Sequence, residues 1–502
     1  MASKLEKFNN YKNEILNSGL KNSNSKNNSA RDQVLSLLDD GTFIELGLFA
    51  KNSSQTKNNV PYDGVICGYG QIDGRLVYLI AEDSNIVGGS IGEVHSKKIC
   101  NCQELAMKVG APIIYLYNTS GLRIEEGMDA LEMYGKVIKN SIEASGLIPQ
   151  ISIILGLCAG AASFAPAISD FIFTIENKTK MFVNATAILS KEGKPKYDNE
   201  IVGGAKVHSE ITGISHFYTK DYNECFDKVR SLFSYLPQNN IDKTEEIECN
   251  DDINRNNDIL NSYIKNGSYD VKNIIEEIAD NNLFFEVQSM YAKNILTGFI
   301  RLGGKCVGVV ANNKNELAGK LDIKSVNKAS KFIRTCDSYN IPILTLVDTD
   351  GYVPDIKEEH GGLIKNGAKL FYSYGDSTTA MVSLIIEKAY GSAYVAMCSK
   401  GLAADIVFAW PSAEIAVLKF DAAFNILYKN EILKSSDINK LKNEKKAELD
   451  ELVLNPYRAA EKGYIDDIIE PKYTRKMLIS AFDSLENKHV KKNNKKHGNI
   501  PL

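Results

Sequence analysis

Two short runs of small residues could do chemistry through their backbone rather than their side chains. They are residues 158–161 (CAGA) and 390–393 (YGSA), and each follows an apolar run and opens a helical pattern. The first N–H groups of a helix have no partner inside the helix, so a pair of them can stabilise a negative oxygen such as that of a thioester enolate. One such run alone more readily indicates a helix packed closely on a sheet. Two runs at equivalent places favour an oxyanion site in each.

The equivalence of the two runs follows from an internal duplication, in which residues 96–121 and 326–351 share one pattern. Three residues match between the copies at a separation of 230: Lys98 with Lys328, Pro112 with Pro342, and Gly121 with Gly351. In each copy an amphipathic helical pattern leads into a short apolar run that begins at Pro and breaks at Thr-x-Gly. The pattern predicts a helix, a buried strand and a loop.

Hairpin signals precede both copies and complete the predicted domains. Asp73-Gly74 and Gly303-Gly304 each lie between two apolar runs. The chain is therefore predicted to be α/β, with two tandem domains related by duplication. We place them at residues 1–238 and 269–502, joined by a polar linker at 239–268 whose Asn, Asp and Glu content is typical of exposed chain.

The composition excludes several classes of protein. With 502 residues, a formal net charge of −4 and a pI near 6.0, the chain has no overall attraction to nucleic acid or an anionic membrane. The nine cysteines are scattered, and the first residues lack the apolar core of a signal peptide, so we expect a cytoplasmic protein. Residues 148–168 are long and apolar enough to consider as a membrane span, but their Pro and Gly residues favour a buried strand, a turn and a helix.

Motifs for a resident nucleotide, biotin or metal are missing or weak. The chain has no P-loop, and its six His residues lack the spacing of a zinc hydrolase. Residues 106–109 (AMKV) resemble a biotin attachment site but lie within a helical pattern, and the pair Cys100 and Cys102 has no further ligand nearby. Three aspartates follow a buried strand: Asp348, Asp350 and Asp355. They could bind a metal, but such residues more often cap loops and helices, so we predict no metal site.

Longer blocks around these residues resemble one known family. They include GGSIGEVHSKKI, CAGAASFAPAISDFIF, LVDTDGYVP, HGGLIKNGAKLFYSYGDST and ADIVFAWPSAEIAV. They are similar to the carboxyltransferase subunits of biotin-dependent acyl-CoA carboxylases and decarboxylases, of the propionyl-CoA carboxylase beta and methylmalonyl-CoA decarboxylase alpha type. The resemblance covers nearly the whole chain.

The resemblance implies two crotonase-like domains of ββα spirals, in a homo-oligomer that is often a hexamer with active sites between protomers. It implies an acyl-CoA substrate and the cofactor biotin, which a partner protein carries. The implied partners are a biotin carrier protein and the biotin carboxylase or decarboxylase subunits of a complex. Two alternatives stay open: the alpha subunit of a sodium-pumping acyl-CoA decarboxylase complex, and a non-catalytic assembly subunit.

The resemblance also implies roles for the two turns. The N–H groups of Gly160 and Ala161 would hold the thioester oxygen of the acyl-CoA, and those of Ser392 and Ala393 the ureido oxygen of biotin. Carboxybiotin would release CO2, the biotin anion would take the α-proton of the acyl-CoA, and the enolate would attack CO2. In reverse, the same site would decarboxylate a malonyl-type thioester.

Four further residues are expected to bind substrate: Gly121, Arg123, Gly351 and Val395. Arg123 could attract the phosphates of CoA, because guanidinium groups pair well with phosphate. The alternative is a structural ion pair with Glu125 or Glu126.

The chain departs from the family's pattern around these residues. Ala161 and Ser392 each stand where the family has Gly, which leaves the backbone N–H in place. Val395 stands where the family has an Asp associated with acyl-chain choice, so a propionyl group cannot be assumed. Residues 418–423 (LKFDAA) replace a Met-Gly-Ala-x-Gly-Ala loop, and Asp355 replaces another Gly. The lost glycines predict either a changed pocket or a relaxed constraint on catalysis.

Overall fold

The computed structural model describes residues 3–18, 29–52, 61–190, 197–266, 269–452 and 455–502. The chain divides into two compact units, Met1–Lys243 and Thr244–Leu502. Each unit contains one eight-stranded sheet, and the two sheets have the same topology. The prediction of two tandem α/β domains with a duplicated architecture is confirmed.

The first unit alternates strands and helices after an antiparallel start. Its strands are β1 Ile44–Leu46, β2 Val65–Ile72, β3 Arg75–Glu82, β4 Ile113–Thr119, β5 Gln150–Ala159, β6 Phe171–Ile175, β7 Lys180–Phe182 and β8 Phe217–Thr219. Its helices are α1 Lys4–Ser18, α2 Ala30–Leu37, α3 Glu93–Val109, α4 Met128–Ala144, α5 Phe164–Ile168, α6 Thr186–Leu189, α7 Asn199–Gly203, α8 Ala205–Glu210 and α9 Tyr222–Ser234. The strand order is β1-β2-β3-β4-β5-β6-β8, and β7 pairs with β5 off this path.

The second unit repeats this order. Its strands are β9 Phe285–Val287, β10 Ile295–Leu302, β11 Lys305–Asn312, β12 Ile343–Thr349, β13 Met381–Tyr390, β14 Ile406–Ala409, β15 Glu414–Ala416 and β16 Asp467–Ile468. Its helices are α10 Asp258–Asn266, α11 Val271–Ile278, α12 Ile323–Ser338, α13 Ile356–His360, α14 Leu363–Asp376, α15 Gly391–Ala396, α16 Phe420–Leu427, α17 Lys429–Lys434, α18 Ile438–Leu452, α19 Pro456–Glu461 and α20 Thr474–Ser484. The strand order is β9-β10-β11-β12-β13-β14-β16, and β15 pairs with β13.

The local sequence explains the first strands of each sheet. β2 and β3 are antiparallel and joined by the two residues Asp73 and Gly74, both with positive φ. The equivalent turn between β10 and β11 is Gly303-Gly304, again with positive φ at both residues. Two left-handed residues give the turn the twist of the flanking strands, which is why such sequences form tight hairpins. The later strands are parallel and buried, so their sequences are continuously apolar.

Two sequence expectations concern the apolar segment at residues 148–168 and the predicted linker. Residues 148–168 form β5, a 3-10 turn at Gly160–Ser163 and α5, and no helix in the described part of the chain has the length and apolar content of a membrane span. The described residues 244–266, within the predicted linker, belong to the second unit. There α10 buries Leu260 in the unit's apolar core, because an amphipathic helix carries apolar residues on one face within an otherwise polar segment.

The matched lysines of the duplicated pattern are buried in both units. Lys98 on α3 donates to the carbonyl of Val65 at 2.5 Å. Lys328 on α12 donates to the carbonyls of Tyr291 and Ile295, each at 2.8 Å, and also to that of Gln288 at 3.0 Å. Each amino group therefore ties its helix to the backbone of another segment.

Lys328 should make the stability of the second unit depend on pH. Burial lowers its pKa from 10.5 to about 7. Between these values the unfolded chain binds the proton and the folded chain does not, so the free energy of unfolding should rise with pH by up to about 1.4 kcal/mol per pH unit. Urea unfolding of the wild type and Lys328→Met at pH 7, 8 and 9 should show this extra slope only in the wild type. Parallel pH profiles for the two proteins would contradict the prediction.

Candidate active site

The first turn lies where β5 ends in the first unit. Gly160 has a φ of +65° and begins the 3-10 turn Gly160–Ser163, which α5 follows. The carbonyl of Gly160 accepts from the Ser163 hydroxyl at 2.7 Å, and that of Ala162 from the Tyr134 hydroxyl at 3.3 Å. The N–H groups of Gly160 and Ala161 donate to no described residue. Two backbone donors are thus held in place and left free.

The second turn has the same construction in the second unit. β13 ends at Tyr390, and Gly391, with a φ of +61°, begins α15. Ser392 and Ala393 occupy the first turn of this helix, where N–H groups lack an intrahelical acceptor. No described residue accepts a hydrogen bond from either of them.

Short strands fix the chain just before each turn. β7 pairs with the end of β5, where Ala159 lies beside Phe182. β15 pairs with the end of β13 in the same way, where Tyr390 lies beside Ala416. Because the last residue before each turn is part of a sheet, the direction of the following N–H groups is set by backbone pairing and does not depend on the side chains of the turn.

The two residues that replace glycines of the family, Ala161 and Ser392, lie at positions where the backbone does not require glycine. The left-handed residues of the two turns are Gly160 and Gly391, and both are still glycine. Ala161 and Ser392 do not have positive φ, so a side chain there introduces no backbone strain. The substitutions therefore leave both pairs of N–H groups intact.

A cavity of about 1080 Å³ opens beside the second turn within the second unit. Four of the predicted site residues line it: Gly351, Ser392, Ala393 and Val395. Its other lining residues come from segments far apart in the chain: Lys320, Asp350, Tyr352, Pro354, Tyr390, Gly391, Tyr394, Ile415, Ala416, Val417, Leu418, Lys419, Ala422, Arg458, Ala459, Lys462 and Tyr464. The cavity is thus mostly apolar with a few charged groups. Leu418, Lys419 and Ala422 belong to the segment that replaces the family's glycine-rich loop, so that replacement reshapes this wall.

The charged groups of the cavity are mainly cationic. Asp350 lies with Oδ1 at 3.4 Å from Lys388 Nζ and Oδ2 at 4.0 Å from Lys419 Nζ. Partial burial opposes the charge of Lys388, but the carboxylates of Asp350 and Glu387 raise its pKa above the usual value. Burial raises the pKa of Tyr352 to about 12, so its phenol is neutral at pH 7.

The three predicted aspartates have structural partners. Asp348 accepts from the Lys388 N–H at 3.1 Å and from the Tyr269 hydroxyl, and Asp355 caps α13 by accepting from the Lys357 N–H at 2.8 Å. No group of three potential metal ligands occurs among the residues that the structure describes.

Arg123 is occupied inside the first unit and does not face solvent. Its guanidinium pairs with Asp63 at 2.7 Å and Glu126 at 2.8 Å, and also donates to the Ser90 carbonyl. The side chain is only 1% exposed. Of the two roles expected for Arg123, the structure contains the ion pair with Glu126, and no donor on the guanidinium is turned outward to meet a CoA phosphate.

The two loop glycines have equivalent geometry but different surroundings. Gly121 and Gly351 have φ values of +103° and +118°, and each donates its N–H to the Thr hydroxyl two residues earlier. Gly351 lines the cavity, whereas Gly121 lies against the carbonyl of Ala159, next to the first turn. Their N–H groups are used within the loops, and their carbonyls accept from the N–H groups of Ile91 and Leu321, so the Cα is the part of each glycine left for a contact with substrate.

Comparisons with known proteins agree with this architecture. The family model of the carboxyl transferase domain matches residues 22–500. The chain belongs to the carboxyl transferase family. It is 43% identical over 481 residues to methylmalonyl-CoA decarboxylase subunit alpha of Propionigenium modestum, covering 94% of this chain and 93% of that one. It is 42% identical over 481 residues to the propionyl-CoA carboxylase beta chain of Roseobacter denitrificans, covering 94% of each.

A solved structure is similar to this chain over its whole length. The transcarboxylase 12S subunit, solved as a hexamer with methylmalonyl-coenzyme A and methylmalonic acid bound, superposes with a TM-score of 0.96. It is 37% identical and the match covers 100% of this chain and 99% of that one. The predicted family and the predicted crotonase-like fold are therefore confirmed, and the chain is an acyl-CoA carboxyltransferase by membership.

Proposed function

We propose that this carboxyltransferase moves a carboxyl group between carboxybiotin on a partner carrier protein and an acyl-CoA, with the four turn amides as its catalytic groups. One observation carries the assignment of these groups. At equivalent positions in both units, a left-handed glycine directly follows a strand. The N–H groups of Gly160 and Ala161 in the first turn, and of Ser392 and Ala393 in the second, have no acceptor among the described residues. Two separate donor pairs suit a reaction that develops charge on two carbonyl oxygens.

The division of labour follows from the chemistry of the two substrates. Gly160 and Ala161 would stabilise the enolate oxygen of the acyl thioester, and Ser392 and Ala393 the ureido oxygen of biotin as its nitrogen loses the carboxyl group. Bound there, biotin would supply the nitrogen that carries the carboxyl group and that can accept the α-proton. The protein's own contribution is to orient both carbonyls and to stabilise their charge, which lowers the barrier in either direction.

The residues beside the second turn fit the bicyclic, mostly apolar head of biotin. Tyr394, Ile415 and Ala422 give the cavity apolar walls, and the free donors of Ser392 and Ala393 lie at its edge. An apolar pocket with few fixed donors is the usual way to bind such a head group. In this function the chain would act together with a biotin carrier protein and with the carboxylase or decarboxylase subunits of a complex. It would also assemble with further copies of itself as a homo-oligomer.

The direct test is carboxyl transfer by the purified full-length chain. With methylmalonyl-CoA or malonyl-CoA and free biotin or a biotinylated carrier, we expect biotin-dependent loss of the thioester's carboxyl group. The decarboxylation direction is a specific second candidate, because one of the similar relatives is a methylmalonyl-CoA decarboxylase subunit. A chain that folds and assembles but transfers no carboxyl group in either direction would instead support the non-catalytic assembly role.

Val395 is expected to set the acyl chain that the enzyme prefers. It lines the cavity and is 37% exposed, and it places an apolar wall where the family has a carboxylate. Val395→Asp should reduce kcat/KM for butyryl-CoA relative to propionyl-CoA by about tenfold or more, since one methylene in an apolar pocket is worth roughly 1–3 kcal/mol.

The measurement is the ratio of kcat/KM values for the two thioesters. Val395→Ala shortens the wall without adding charge, and serves as the matched control. If Val395→Asp leaves the ratio as it is in the wild type, Val395 does not contact the acyl chain.

A further inference from the structure

The cavity of the second unit is lined by more cationic side chains than the nearby carboxylates can pair with. Arg458 forms an ion pair with Glu461 at 2.5 Å, and Asp350 forms one with Lys388 at 3.4 Å. Lys320 and Lys462 form no ion pair with any residue that the structure describes, and both line the cavity. Lys419 adds a third ammonium, whose nearest carboxylate oxygen is 4.0 Å away on Asp350. The cavity therefore has a net positive charge that could bind an anion.

Lys419 stands out among these cations because of where it is placed. It lies in the segment where the family has a glycine-rich loop, at the position of a glycine. It directly precedes α16, and its carbonyl accepts the N–H groups of Ala422 and Ala423, each at 3.1 Å, which fixes its backbone. The side chain is 52% exposed, and its ammonium lies nearest Oδ2 of Asp350, whereas Lys388 lies nearest Oδ1.

The surroundings of Lys419 increase the effect of its charge. Leu418, Ala422 and Val395 give the nearby wall an apolar surface. A half-exposed charge with an apolar surface on one side is screened by water less completely than the same lysine on an open surface, which strengthens its attraction for an anion. The proposed reaction brings two kinds of anion, carboxylates and the phosphates of CoA. Because all CoA thioesters carry the same phosphates, a difference between two thioesters that differ only in a carboxylate reports the carboxylate alone.

We propose that Lys419 makes this cavity a carboxylate-binding site, a property that a glycine at this position could not provide. The inference rests on the proposed function for the identity of the carboxylate. It has two possible sources: the carboxyl group on carboxybiotin, or a carboxylate at the far end of the acyl chain. Val395 and Lys419 together would suit an acyl group with an apolar stem and an anionic end.

The test uses the full-length chain with Lys419→Met, which removes the charge and keeps most of the unbranched stem, and Lys419→Arg, which keeps the charge. Lys434→Met, on α17 and outside the cavity lining, is the matched control. Butyryl-CoA and succinyl-CoA differ at the chain end by a methyl group against a carboxylate. Calorimetry measures the binding of both thioesters, and transfer from a carboxylated carrier to butyryl-CoA gives the KM of each substrate.

The two sources give different results. If the carboxylate belongs to the acyl chain, the wild type should bind succinyl-CoA about tenfold more tightly than butyryl-CoA, and Lys419→Met alone should remove the preference. If it belongs to carboxybiotin, Lys419→Met should raise the KM for the carboxylated carrier about tenfold without changing the KM for butyryl-CoA. Lys419→Arg should keep either effect.

The proposal is overturned if Lys419→Met changes neither quantity by more than about twofold, within the error of such measurements. Failure of the proposed function is a separate result. A chain that transfers no carboxyl group but still prefers succinyl-CoA through Lys419 would retain the carboxylate site and lose the assigned reaction. A chain that transfers normally in both wild type and Lys419→Met, with the same carrier KM, and that binds succinyl-CoA no more tightly than butyryl-CoA in either would retain the reaction and lose the site.

Discussion

The Ser392→Pro variant is expected to lose carboxyl-transfer activity by about 10²–10³-fold in kcat, the usual cost of removing one oxyanion donor. Proline removes the N–H of Ser392 and changes little else. Ser392 is the second residue of α15 and has an ordinary φ, so it lies in the first turn, where a helix tolerates proline. Gly391 precedes it and has no Cβ, which relieves part of the clash with the proline ring.

The matched control is Ser392→Ala, which removes the hydroxyl and keeps the N–H. We expect it to stay within about threefold of the wild type, because the backbone supplies the donor. Circular dichroism and gel filtration on Ser392→Pro would establish that the fold and assembly are intact. Activity near the wild-type level in a folded Ser392→Pro protein would remove the Ser392 N–H from the mechanism.

Ala161→Pro should have an effect of similar size, about 10²–10³-fold, at the thioester. Ala161 follows Gly160 in the 3-10 turn and has an N–H without an acceptor in the described structure. Its loss should lower kcat while the KM for the acyl-CoA changes little, because the oxygen gains its charge only as the enolate forms. Gly160 is a poorer target, since its φ of +65° is opposite to the value that proline requires.

Ala161→Gly is the control for this second donor. It restores the family's residue and keeps the N–H, so activity should equal or exceed that of the wild type. The measurement is steady-state transfer to propionyl-CoA and butyryl-CoA at saturating carrier. A large rise in KM at unchanged kcat would show that Ala161 contributes to ground-state binding and not to the enolate.

Much of the architecture could be predicted from local sequence. The hairpin turns Asp73-Gly74 and Gly303-Gly304 have the residues that left-handed φ requires, and the apolar runs are long enough to be buried strands. The repeated spacing then placed two glycine turns at equivalent positions. Those features depend on residues close together in the chain, where sequence patterns are most informative.

The cavity and the ion pairs depend on distant residues and were not predictable in the same way. Asp63 reaches Arg123 across 60 residues, and the buried pair depends on how α3 and its flanking loops fold together. Lys320, Lys419 and Lys462 meet at one cavity from three separate segments. A lysine in a polar sequence is normally a solvated surface residue, so only the fold shows that these three share a site.

The small strands β7 and β15 have a consequence for how such an enzyme can evolve. They pair with the residues just before each turn and so fix the backbone there, and this sets the direction of the N–H groups in the turn. Selection would then preserve one glycine in each turn and the strand pairing. The neighbouring side chains could change while the catalytic N–H groups stay in place. Comparing this enzyme with its relatives by identical side chains would therefore underestimate how much of the ancestral machinery survives.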